Sequence, residues 1–93
     1  MVESKKMLLE AIKNSNILPL KQKNTLSVVC SAEYPLSAKS IEKKLSMNKQ
    51  SINYSLKSLL KRNFLIREKD GYYTYRPNYT RIEELIRRFK EEK

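Results

Sequence analysis

Lys49, Gln50, Asn53, Tyr54 and Lys57 follow one another at steps of one, three, one and three residues. On a helix that spacing lines up one side. The carboxamides of Gln and Asn can pair bidentately with adenine, and a lysine ammonium can meet guanine or phosphate. A helix face that is merely solvated usually mixes signs, because opposite charges three or four residues apart stabilise it. Residues 48–64 instead hold Lys49, Lys57, Lys61 and Arg62 with no acid. The row therefore suits a polyanion better than bulk water.

The rest of the composition points the same way. The chain has 93 residues, with 20 Lys+Arg against 10 Asp+Glu, for a formal charge of +10. So strong a bias in a chain able to build one modest core implies a polyanionic partner. It is not uniform, since residues 48–64 carry as much net positive charge as residues 1–47 together. A basic membrane-surface protein would need an amphipathic helix with its apolar side free, and the apolar stripes here are expected to be used in a core. No apolar run is long enough to span a bilayer, and the N-terminus lacks the uninterrupted apolar stretch of a signal peptide. A cytoplasmic protein is the expectation.

Enzymatic chemistry finds little to work with. The sequence has no histidine and one cysteine, Cys30, so no Ser-His or Cys-His pair and no ordinary zinc site can form. Its one glycine, Gly71, cannot make a Gly-rich phosphate loop. Cys30 sits in the apolar run Val28-Val29-Cys30 and reads as an inert buried thiol. The carboxylate pairs Glu83/Glu84 and Glu91/Glu92 read as solvated charges. No cofactor or metal is expected.

Elements that position the basic row can be read in order. Residues about 3–14 form an amphipathic helix through Met7, Leu8, Leu9, Ala11 and Ile12, and Asn14-Ser15-Asn16 breaks it. Pro19 suits the first turn of a second helix reaching about Ala32, with Leu26, Val29 and Cys30 inside. Ser37 caps a short third helix built on Ala38, Ile41 and Leu45. After Ser46-Met47, Asn48 caps a fourth, from Lys49 to Arg62, whose apolar side is Ile52, Leu56, Leu59 and Leu60. Two helices on so short a connection must cross steeply. Asn63 tolerates the left-handed conformation that closes a helix. Residues 64–68 and 72–76 flank Asp70-Gly71 and read as a β-hairpin. Pro77 stops its ladder. Thr80-Arg81-Ile82-Glu83 reads as a capping box opening a last helix, about 80–92, with Ile82, Leu85, Ile86 and Phe89 on one face.

The expected class is therefore mainly α with a small β-hairpin, folded as one domain over residues 1–93. This order resembles the winged helix-turn-helix, with added N- and C-terminal helices. The segment Leu36 to Leu45, followed by Ile52, Leu56, Leu59, Phe64 and Ile66, is similar to the core pattern of the MarR, ArsR and PadR regulators. Asn63 departs from it, where many members carry glycine. Length, charge and layout are also similar to the site-binding proteins of archaeal plasmid-partition systems. The resemblance implies double-stranded DNA as partner, with the fourth helix in the major groove. Lys49, Gln50, Asn53 and Tyr54, beyond the capping Asn48, would then meet base edges. Lys57, Ser46 and Ser51 would hold phosphates. Arg67, Lys69 and Tyr72 at the hairpin tip would reach the flanking backbone or minor groove, while Tyr73 would pack.

Two apolar stripes, Met7/Leu8/Ile12 and Ile82/Leu85/Ile86/Phe89, exceed what such a core needs. They suggest a homodimer: for the first helix packing against the chain's own core is an equal alternative, and for the last a two-fold partner is expected. Such a dimer would read a palindrome, either as a transcriptional regulator or as a partition protein that spreads along DNA beside a ParA/ParB-like partner. A winged helix that binds protein or RNA is the alternative.

Overall fold

The computed structural model describes residues 5–91. The elements run α1 (Lys5–Lys13), α2 (Leu20–Ser31), α3 (Ala38–Leu45), α4 (Lys49–Lys61), β1 (Leu65–Asp70), β2 (Tyr72–Pro77) and α5 (Tyr79–Glu91). The expected start of the first helix at residue 3 and the end of the last at 92 lie outside the described residues.

α2 is the centre, and it packs against α1, α3, α4 and β2. Being covered on several sides, it has no single apolar stripe, and it buries Gln22 and Thr25 beside Leu26, Val29 and Cys30. Pro19 stands one position earlier than expected. It is the cap residue itself, with its carbonyl accepting the Lys23 N–H at 2.9 Å.

α3 and α4 are each fixed by a side-chain cap. The Ser40 N–H donates to Ser37 Oγ at 3.2 Å, and the Ser51 N–H donates to Asn48 Oδ1 at 2.8 Å. The link between them turns at Ser46, whose φ of 54° is left-handed. α4 ends at Lys61, with Arg62 as its cap and Asn63 at φ 67°. There the Phe64 N–H reaches Leu59 O at 2.9 Å and the Asn63 N–H reaches Leu60 O at 3.0 Å. This is a Schellman closure, and Phe64 lies fully buried just beyond it.

The hairpin pairs Leu65 with Pro77 and Lys69 with Tyr73, leaving Gly71 alone at the tip with φ 82°. A third contribution was not visible in the sequence: Leu36 bridges Tyr75 through hydrogen bonds of 3.1 and 2.8 Å. The wing is thus tied to the segment that enters α3.

One expectation is corrected. The helix after the hairpin opens at Tyr79, with the Ile82 N–H on Asn78 O at 3.0 Å. Thr80 therefore lies within the first turn rather than at its cap. Asn78 precedes the helix, and its Nδ2 donates to Asn63 O at 2.9 Å, joining the hairpin's base to the end of α4. The two terminal stripes, moreover, cover each other. α1 packs on α5; Leu8, Ile12, Ile82, Leu85 and Ile86 are buried in the common core, with Met7 and Phe89 half-buried against it. The spare apolar surface that argued for a dimer seam on these residues is used within the chain.

Candidate nucleic-acid interface

Ile52, Ser55, Leu56 and Leu59 turn α4 inward, so the opposite side must face out. Lys49, Gln50, Asn53, Tyr54 and Lys57 are all exposed on it. Neither α2 nor α4 contains an acid, so no carboxylate on those two helices offsets the row's charge. Caps at both ends hold the row rigid, which spares the entropy of ordering a loop on binding. Asn48 is exposed, but its Oδ1 is committed to the Ser51 amide. Only its NH₂ remains to donate outward. Ser46 is exposed at the turn, and Ser51 is half-buried.

The wing residues Arg67, Lys69 and Tyr72 are exposed. Tyr73, expected to pack, does something else. It is 44% exposed, and its ring carries the Arg67 guanidinium at 4.3 Å and the Lys69 ammonium at 5.4 Å. The register explains this, since Lys69 lies opposite Tyr73 and Arg67 lies diagonal to it. Tyr75, on the same face nearer the base, is buried. On the other face, Arg76 pairs with Glu68 at 3.2 Å and is partly neutralised.

The base of this arrangement is pinned by Arg81. Its Nε donates to Arg62 O at 3.1 Å, its guanidinium lies 4.4 Å from the Phe64 ring centroid, and it pairs with Glu84. α5 is thereby fixed to the end of α4. Sequence reasoning missed both Arg81 and Tyr73, because each acts through a partner brought near only by folding.

Solved structures share this arrangement. The ferric uptake regulator Fur of Helicobacter pylori matches with a TM-score of 0.63 at 21% identity, over 81% of this chain and 58% of Fur. A MarR family protein of Bacillus stearothermophilus matches with a TM-score of 0.63 at 17% identity, over 95% of this chain and 64% of its own. A protein of the thermoacidophilic archaeon Sulfolobus tokodaii matches at 0.59 and 16% identity, over 95% of this chain and 92% of its own. The fold is a winged helix-turn-helix. α3 and α4 are its helix pair, and β1–β2 its wing. No protein-family model matches the chain, and no curated protein does. The chain spans less than two thirds of the Fur and MarR chains, and identities this low speak for the fold alone.

The Fur structure has three functional metal-binding sites. Among the described residues here, no group of three His, Cys, Asp or Glu side chains could hold a metal ion. No described helix is long and apolar enough to cross a membrane. Burial pushes the Cys30 thiol from 9.0 up to about 12, against a smaller opposing pull from Lys5.

Proposed function

We propose that this winged helix, as one domain, binds double-stranded DNA sequence-specifically and acts as a transcriptional regulator. One observation carries the reading: a rigid, doubly capped helix presents Lys49, Gln50, Asn53, Tyr54 and Lys57 outward with no acid among them. Entering the major groove N-terminus first, α4 would bring Lys49, Gln50, Asn53 and Tyr54 to base edges. Lys57, Ser46, Ser51 and the Asn48 NH₂ would meet phosphates. The wing would set Arg67 and Lys69, held on Tyr73, against the flanking strand, with Tyr72 reaching it from the hairpin's other face.

Reading a palindrome takes two copies with their α4 helices roughly 34 Å apart. Since the α1 and α5 stripes lie in the core, the two-fold contact of such a homodimer would use other residues. A plasmid-partition role, with a ParA/ParB-like partner, shares this chemistry and differs in spreading along DNA. A footprint that stays fixed as protein is added marks an operator-binding regulator. One that lengthens marks partition.

The test of the reading is nucleic-acid preference. Fluorescence anisotropy with a duplex, its separated strands and the matching RNA is expected to show tightest binding to the duplex. Equal or tighter binding to single strands or RNA would overturn it.

A further inference from the structure

A groove of about 640 Å³ lies between the first turn of α2 and the outer flank of α4. Pro19, Leu20, Lys21 and Gln22 form one wall, and Gln50, Ser51, Tyr54 and Ser55 form the other. Leu20 and Tyr54 stand open to solvent at 71% and 70% exposure. Beneath them, Gln22 and Ser55 are 7% and 1% exposed, and Gln22 Oε1 and Ser55 Oγ have no hydrogen-bond partner. A buried hydroxyl without a partner is costly, so Ser55 in the groove wall calls for an acceptor there.

The α2 terminus adds donors to the same place. Pro19 supplies no side-chain cap. The N–H groups of Leu20, Lys21 and Gln22 precede the first bond of the helix, that of Lys23 to Pro19 O. Open N–H groups at a helix N-terminus favour an anion. Neither α2 nor α4 contributes an acid to the walls, and Lys21 adds a cation.

We infer that this groove takes a phosphodiester of the DNA strand bordering α4, with the adjoining deoxyribose against Leu20 and Tyr54. The inference rests on the duplex reading of α4, with which the groove is continuous through Gln50 and Tyr54. Continuity with the exposed row of α4 favours this occupant over an acidic peptide, and the apolar rim suits a sugar's carbon face. Turning the Gln22 carboxamide into the groove brings its NH₂ to the phosphate and opens the way to the Ser55 hydroxyl. The phosphate, which only accepts, then partners the Ser55 hydroxyl and the Gln22 NH₂.

Leu20→Glu, Lys21→Ala and Gln22→Met test this in the full chain, with Lys57→Ala as reference and thermal melting as the check on folding. Leu20→Glu is expected to weaken every duplex about tenfold, the scale of one charge-assisted hydrogen bond. Lys21→Ala is expected to flatten the slope of log affinity against log salt by about 0.9. Gln22→Met removes a buried unpaired carbonyl oxygen, so it should melt no lower than the parent while binding more weakly. A purely structural Gln22 would shift melting and leave affinity alone. If all three bind as the parent does while Lys57→Ala is weakened, the groove is not a DNA contact and the inference falls, with the reading of α4 intact. If Lys57→Ala is also unchanged, the reading of α4 fails and takes the inference with it. If Leu20→Glu instead dissociates a self-associated form with per-copy DNA affinity unaltered, the groove's occupant is a second copy and the inference is overturned.

Discussion

The Arg67 guanidinium lies 4.3 Å from the centroid of the Tyr73 ring, across the diagonal of the wing. Lys69 approaches the same ring at 5.4 Å. Two cations that would repel each other are held together by the negative face of one aromatic ring. Tyr73→Leu keeps bulk and strand propensity but removes that face. It should leave melting nearly unchanged and weaken all duplexes alike by about three- to fivefold, the scale of an exposed cation–π contact. A loss confined to one DNA sequence, or no loss, would separate Tyr73 from wing binding.

Asn63 closes α4 at φ 67°. Its backbone N–H donates to Leu60 O, and its carbonyl accepts from Asn78 Nδ2. Glycine at this position retains both bonds and meets no Cβ penalty in the left-handed region. Asn63→Gly should be neutral or stabilise by up to about 1 kcal/mol, whereas Asn63→Val should cost about 1–2 kcal/mol. Denaturant titration of both variants distinguishes this backbone effect from a need for the Asn side chain, under which both would lose stability.

Cys30 supplies a pH dependence. The folded thiol holds its proton up to about 12, against 9.0 when free. Between those values the unfolded chain has released a proton that the folded chain retains, so stability must fall as pH rises. Below about 9 the group contributes no slope. Above it, up to roughly 1.4 kcal/mol is lost per pH unit. Stability measured as the difference between parent and Cys30→Ala isolates this from lysine and tyrosine titration. The difference should be flat up to about pH 9 and then shift against the parent. A flat difference through pH 10.5 would show that the thiol is not buried.

Lys57 and Asn53 are exposed on the same side of α4 and are assigned different work. Asn53→Ala should cost about 1–3 kcal/mol on a cognate site and less on random duplex, narrowing the preference. Lys57→Ala should weaken both equally and reduce the salt slope by about 0.9. Equal losses for Asn53→Ala on cognate and random DNA would remove it from base reading.

The legible parts of the fold were those written in local chemistry. Asn48 before Lys49, Ser37 before Ala38, and Asp70-Gly71 between aromatic and β-branched runs each state a cap or turn within a few residues. The exposed side of α4 was legible for the same reason, because helical spacing alone sorts Ile52, Leu56 and Leu59 from Gln50, Asn53 and Lys57. What escaped depends on distant partners. The Thr80–Glu83 pattern fits a cap, yet the helix opens after Asn78, whose side chain bonds Asn63, 15 residues away. The stripes of α1 and α5 looked like surplus because nothing local reveals that they face each other. The groove at Leu20 was missed although α2 lacks acids, since an exposed leucine in isolation is ordinary.

The most direct measurement replaces Lys49, Gln50, Asn53, Tyr54 and Lys57 together with alanine, confirms folding by circular dichroism and melting, and titrates a labelled duplex at moderate salt. All five side chains are exposed on α4, so the variant should fold and its duplex binding should fall by at least about a hundredfold, the sum of several base and phosphate contacts. A folded variant that binds duplex as tightly as the parent would contradict the reading of α4 as the DNA-facing helix.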